Sequence, residues 1–261
     1  MANYVRNRVT FYGKKEQLEK LLQFLGSNGN PQLDFNVIVP EPKEITDSNG
    51  LAPDEDVAFG EYLATGKTTM MTDDIMRKLG GKYLEKPILG IARTVMLDAC
   101  KKVISEEEKK CFITWYNNKV KYGYADWYNW RQDKWGTKAN YGGDFLGDIV
   151  IVEAEGHTNF QYTFDTAWDS PVPIFKALSE KFPDIKIEVN YADENMGYDC
   201  GTYEVRKGIM VSDTVFEDGT WEAISHSLMV WNQEYLEDYI VEDEGGFCHI
   251  DYERAENEGG L

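Results

Sequence analysis

Between residues 158 and 191 the chain carries a pattern that few folds accept. Asn159-Phe-Gln-Tyr-Thr-Phe-Asp165 alternates aromatic and polar side chains, which puts Phe160, Tyr162 and Phe164 on one face of a strand. Ser170-Pro171 is a helix-start signal, since serine can cap and proline is tolerated in a first turn. The helix runs through Ile174, Phe175, Leu178 and Phe182 to Pro183, and Ile185-Lys-Ile-Glu-Val-Asn-Tyr191 alternates again as a second strand. A strand, helix and strand with one apolar face each must bury those faces in a layered α+β arrangement.

The opening of the chain reads the same way. Tyr4 to Tyr12 alternates as a strand, and Gly13 ends it. Leu18, Leu21, Leu22 and Leu25 have helical spacing, and the apolar run Phe35-Asn-Val-Ile-Val39 before Pro40 and Pro42 reads as a short strand. Thr202 to Val205 and Ile209 to Val211 flank Lys207-Gly208 as a hairpin. Two strand-helix-strand units plus a hairpin predict a ferredoxin-like split β-α-β antiparallel sheet with both helices on one face.

Residues 1–212 are expected to form this domain, with a helical insertion at about 43–120 that belongs to it and is not a separate body. Thr72 caps one insertion helix, and Ile91, Val95, Met96, Ala99, Val103 and Ile104 space out a second from Leu89 to about Lys110. Residues 213–261 hold fourteen acidic residues against one basic residue, Arg254. Leu228, Trp231, Tyr235, Leu236 and Tyr239 predict an acidic amphipathic helix near 223–241 that packs on the domain, with the last dozen residues frayed.

Charge narrows the function. Residues 1–140 hold 21 Lys+Arg against 19 Asp+Glu, whereas residues 141–261 hold 6 against 27, so the net charge of −19 comes wholly from the second half. Such a surface repels phosphate backbones and anionic membranes and speeds encounter with basic partners. No basic-then-apolar leader opens the sequence and no stretch is apolar enough to span a membrane, so a cytoplasmic protein is expected. Cys100, Cys111, Cys200 and Cys248 form no C-x-x-C pair and read as reduced thiols.

Four segments resemble the YubB-like proteins with a ferredoxin-like domain carried by plasmids, prophages and phages. They are Phe35-Asn-Val-Ile-Val-Pro-Glu-Pro42, Asp126-Trp-Tyr-Asn-Trp-Arg-Gln-Asp-Lys-Trp-Gly-Thr-Lys138, Phe164-Asp-Thr-Ala-Trp-Asp-Ser-Pro-Val-Pro173 and Tyr191-Ala-Asp-Glu-Asn-Met-Gly197. The resemblance implies the same fold and an accessory role on a mobile element, and it implies no catalytic residues. Ala139 stands where that family's pattern continues with a second tryptophan, and the acidic end after about residue 213 lies beyond the resemblance.

Three constellations are candidates for binding. Trp127, Trp130 and Trp135 offer π-faces and Arg131 and Lys138 offer cations, a set able to stack a base and hold its phosphate, or else simply to build core. Asp165 and Trp168 sit at a strand end just before a helix start, where Asp165 and Ser170 would otherwise cap the turn. The acidic end offers Trp231, Glu234, Tyr235, Glu237, Asp238, Glu242, Asp243 and Glu244 to a basic partner.

The enzyme classes fit poorly. His157, His226 and His249 have no metal-ligand spacing, and no phosphate-loop, nucleophile-elbow or dinucleotide fingerprint is present, so neither metal nor cofactor is expected. Two readings stand: an inhibitor that docks its acidic surface on a basic host defence protein, and a binder that sequesters a nucleotide signal in the tryptophan-rich pocket. A third, RNA on a sheet platform of Tyr4, Phe11, Phe160, Tyr162 and Phe164, runs against the acidity. Oligomeric state is not legible in any residue.

Overall fold

The computed structural model describes residues 3–26, 33–48, 50–84, 92–140, 152–154 and 157–259. In chain order it places β1 at Tyr4–Tyr12, α1 at Lys15–Leu25 and α2 at Phe35–Ile38. Then follow α3 (Lys43–Thr46), α4 (Asp54–Thr65), α5 (Asp73–Tyr83), α6 (Arg93–Val103), α7 (Glu106–Tyr122) and α8 (Trp127–Lys134). The rest comprises β2 (Val152–Ala154), β3 (His157–Ala167), α9 (Val172–Lys181), β4 (Lys186–Asp193), β5 (Cys200–Arg206), β6 (Ile209–Val215), α10 (Trp221–Trp231), a 3-10 helix at Glu234–Tyr239, β7 (Ile240–Glu242), β8 (Cys248–Ile250) and α11 (Tyr252–Glu258).

Two compact units divide these elements, one of residues 1–40 and 133–261 and one of residues 41–132. The helical stretch expected as part of the main domain therefore forms a unit with its own core, built on Phe59, Leu79, Leu97, Phe112 and Trp115. α4 and α7 approach closely at Gly60, where an added Cβ would sit 2.1 Å from the Phe112 carbonyl oxygen. The predicted second insertion helix is cut in two: Ile104 leaves the helical region, and Ser105 caps α7 by accepting from the Glu108 N–H while Glu108 reaches back to it. Its first residues, 89–91, lie outside the described residues.

In the first unit the six-stranded sheet has the order β2-β3-β1-β4-β5-β6. β3 and β4 both run antiparallel to β1, which lies between them, and α9 connects the two. β2 flanks β3, so the first four strands reproduce the ferredoxin-like order, and β5 and β6 extend it. The hairpin turn falls at Lys207 (φ 52°) and Gly208 (φ 76°), as predicted.

Alternation along the strands sorts the two faces. Phe11 stacks on Phe160 at 4.7 Å, and Phe164 meets Phe175 of α9 at 6.2 Å. Phe24 of α1 meets Phe182 at 5.6 Å, beside the end of α9. The aromatic residues proposed as an RNA platform are thus buried, with Phe11, Phe160, Tyr162 and Phe164 no more than 4% exposed; only Tyr4 is at the surface. α10 lies on the opposite face, where Cys200 donates its thiol to the Ala223 carbonyl and Ala192, Ala223 and Val230 are buried together.

Three expectations are corrected. Phe35–Ile38 is a helical turn and not a strand, because Asp34 accepts from the Asn36 N–H and Phe35 is drawn onto Trp135 and Phe164. The helix expected at 223–241 ends at Trp231, where Asn232 turns left-handed (φ 58°) and takes the chain into the 3-10 helix and the β7–β8 hairpin. The frayed tail is instead the helix α11, capped by Asp251 and anchored by buried Ala255 against Ile224, Leu228, Leu236 and Ile250.

Candidate functional site

The tryptophan-rich segment has residues in both units. In the second unit Asp126 is 1% exposed and caps α8 by accepting from the Asn129 N–H, while its other oxygen takes the Ala52 N–H. Arg131 forks onto Glu41 through two hydrogen bonds of 2.9 and 2.8 Å, with Glu41 buried and the guanidinium over the Trp127 ring at 4.9 Å. Trp130 is buried. The charge of Arg131 is already matched, which favours a structural role for this half of the segment.

On the first unit's side, Trp135 is 2% exposed and donates its Nε1–H to the Val39 carbonyl at 2.9 Å. Gly136 has a φ of 79° and would press a Cβ to 2.8 Å from Pro173, and Thr137 donates to the Ala167 carbonyl at 2.8 Å. The Trp-Gly-Thr run clasps the chain at Val39, Ala167 and Pro173. Lys138 lies over the half-exposed Trp168 ring at 5.1 Å.

Asp165 and Ser170 do not cap the turn before α9. Asp165 takes the Arg6 guanidinium on both oxygens, at 2.8 and 3.0 Å, and Ser170 is bonded to the Tyr203 hydroxyl at 2.7 Å. The other face of Arg6 is stacked on Trp231 at 4.0 Å. Trp231 in turn donates to the Asp193 carbonyl at 3.0 Å, so it fastens α10 to the sheet and offers little of its ring to a partner. No local pattern in the sequence marks Arg6 for this role.

The other acidic-end candidates are at the surface. Glu234, Tyr235, Glu237, Asp238, Glu242, Asp243 and Glu244 are exposed, along with Phe247 and Tyr252. Asp243 shapes the hairpin by accepting the Gly245 and Phe247 N–H groups, and Glu237 accepts from Ser225. Partial burial raises the Tyr252 phenol, and neighbouring Tyr235 adds to it. Further carboxylates gather where β4 ends and β5 starts. Burial raises the Asp199 carboxyl and neighbouring Asp218 and Asp193 add to it, while burial and Asp199 do the same to Asp169.

Residues 151–234 match the family described as ferredoxin-like domain in Api92-like protein. That stretch holds β2, β3, α9 and β4 through α10, every strand of the six-stranded sheet except the central β1. A crystal structure of a protein api92 from Yersinia pseudotuberculosis is 12% identical, with 84% of this chain and 99% of that chain covered at a TM-score of 0.40. No curated protein matches.

The chemistry of the remaining candidates is limited. His226 is packed on Phe216 with its Nε2 2.9 Å from the Gly201 carbonyl, and burial lowers its pKa. Cys248 and His249 are neighbours on β8 and so alternate across the strand. The side chain of His157 lies outside the described residues. Among the described residues no three His, Cys, Asp or Glu side chains gather as a metal cage, and no helix is long and apolar enough to cross a membrane.

Proposed function

We propose that this chain is a binding protein that docks the acidic end of its first unit on a basic surface of a host defence protein and inhibits it, as an accessory factor of a mobile element. The observation that carries the reading is the pairing of exposed rings with exposed carboxylates on one small substructure. Tyr235, Phe247 and Tyr252 are 56%, 59% and 47% exposed, among Glu234, Asp238, Glu242, Asp243 and Glu244. Rings of this kind supply contact area at low entropic cost, and the carboxylates steer a basic partner into place. The underlying core of Ile224, Leu228, Leu236, Ile250 and Ala255 gives that surface a fixed shape. The mobile-element setting rests on the four resembling segments.

The test uses the full chain as bait in bacterial lysate, beside a Glu234→Lys/Glu242→Lys/Glu244→Lys variant. The expected result is a basic protein held by the wild type and lost by the variant, whose binding, once both proteins are purified, weakens at least tenfold between about 50 and about 500 mM salt. A partner held equally by both chains at high salt would sink the proposal.

A further inference from the structure

Six basic residues serve the whole of 141–261, and four of them, Lys181, Lys186, Arg206 and Lys207, gather at one end of the sheet. β1 ends there at Tyr12, α1 begins at Lys15, α9 ends at Lys181, β4 begins at Lys186, and the β5–β6 turn stands at Lys207. These elements enclose an open cleft of about 850 Å³ whose walls include Tyr12, Lys14, Gln17, Lys186, Arg206 and Lys207. A smaller cleft of about 200 Å³ shares Gln17 with it and adds Lys20 and Lys181. The acidic docking surface proposed above stands on the C-terminal substructure, so the two sites use different residues.

The cations are in two states. Lys186 lies 4.1 Å from the Tyr12 ring centroid and is shared between Glu188 at 3.1 Å and Glu204 at 3.8 Å. Arg206 is also paired to Glu204, at 2.5 Å. The one carboxylate of the cleft wall itself, Asp184, accepts from Gln17 at 2.9 Å. Lys14 and Lys207 are exposed and make no ion pair among the described residues. They leave two uncommitted positive charges at the mouth, and the first turn of α1 adds the positive end of its dipole to the same wall.

Lys207 is also an outlier in its backbone. The first central position of this two-residue turn requires a left-handed φ, which glycine or asparagine adopts most easily, yet a lysine holds it at 52°. Strain kept at a position whose side chain faces a cleft points to use of that side chain. The volume lies within the range of roughly 300–1,000 Å³ usual for small-molecule sites. A long polyanion leaving the cleft would meet a protein of net charge −19, whereas a compact one would not.

We infer that this cleft binds a phosphorylated small molecule of nucleotide size, its phosphates held by Lys14 and Lys207 with support from Lys186 and Arg206.

The experiment is isothermal titration of the full chain with ATP and with inorganic tripolyphosphate at low salt, repeated on a Lys14→Gln/Lys207→Asn variant. Asparagine keeps the left-handed turn, and circular dichroism melting without ligand checks that the fold is unchanged. The expected result is saturable binding of at least one probe, weakened tenfold or more by the variant. Absence of binding by both probes, or affinity unchanged in the variant, would overturn the inference. Tighter binding of a single-stranded oligonucleotide than of ATP would overturn it equally, by assigning the cleft to nucleic acid.

Discussion

Arg6 and Asp165 face each other across β1 and β3, and the guanidinium meets both carboxylate oxygens while its far side rests on Trp231. One arginine thus joins two strands of the ferredoxin-like sheet to the helix that begins the acidic extension. The pair is largely shielded, with side-chain exposures of 17% and 25%, so it retains more strength than a surface ion pair.

Replacing Arg6 by alanine removes both the fork and the stacking platform. The expected cost is about 1–2 kcal/mol in urea denaturation, with a change in Trp231 fluorescence in the native state. Arg6→Lys should recover little of it, because an ammonium cannot make the bidentate contact. Full recovery by lysine would show that charge alone matters at this position.

Arg131→Ala separates structure from ligand binding in the tryptophan-rich segment. It takes the matching charge from the buried Glu41 carboxylate, which keeps the Thr46 hydroxyl as a donor, and the expected loss is about 3 kcal/mol. The loss should appear as a lowered unfolding midpoint of the apo protein. A variant as stable as the wild type would show that Arg131 is held in reserve for a ligand.

Asp199→Asn should raise the melting temperature at neutral pH. The Asp199 carboxyl is raised in the folded state, so its contribution to stability is present below the unfolded carboxylate range and is lost as pH rises through the folded value. Asparagine removes that loss, tolerates the left-handed φ of 42°, and keeps the backbone N–H that bonds Asp218. The gain should therefore shrink as pH falls below the carboxylate range. A gain independent of pH would trace the effect to something other than charge.

Much of the fold was legible because local alternation reports directly which face of a strand is buried. Tyr4–Tyr12, Phe160–Phe164 and all but the first residue of Ile185–Tyr191 lie in strands of one sheet, and Lys207-Gly208 turned where expected. The run at Phe35–Val39 misled, since a short apolar stretch suits a strand or a buried helical turn equally, and Asp34 with Trp135 decided it. The acidic end misled similarly. Its helical spacing continues past Trp231, but Asn232 takes the left-handed conformation and buried Leu236 packs with Ile250 and Ala255 beyond it.

Sequence by itself determined the alternating strands and the Lys207-Gly208 turn, which depend on neighbours within a few residues, and the division of charge, which is read off directly. Only the tertiary structure decided that Arg131 is matched by Glu41 and Arg6 by Asp165, and that Lys14, Lys186, Arg206 and Lys207 share one cleft. Those meetings follow from strand order and helix packing. Both are set by burial summed over the whole chain, and no short stretch of sequence contains that sum.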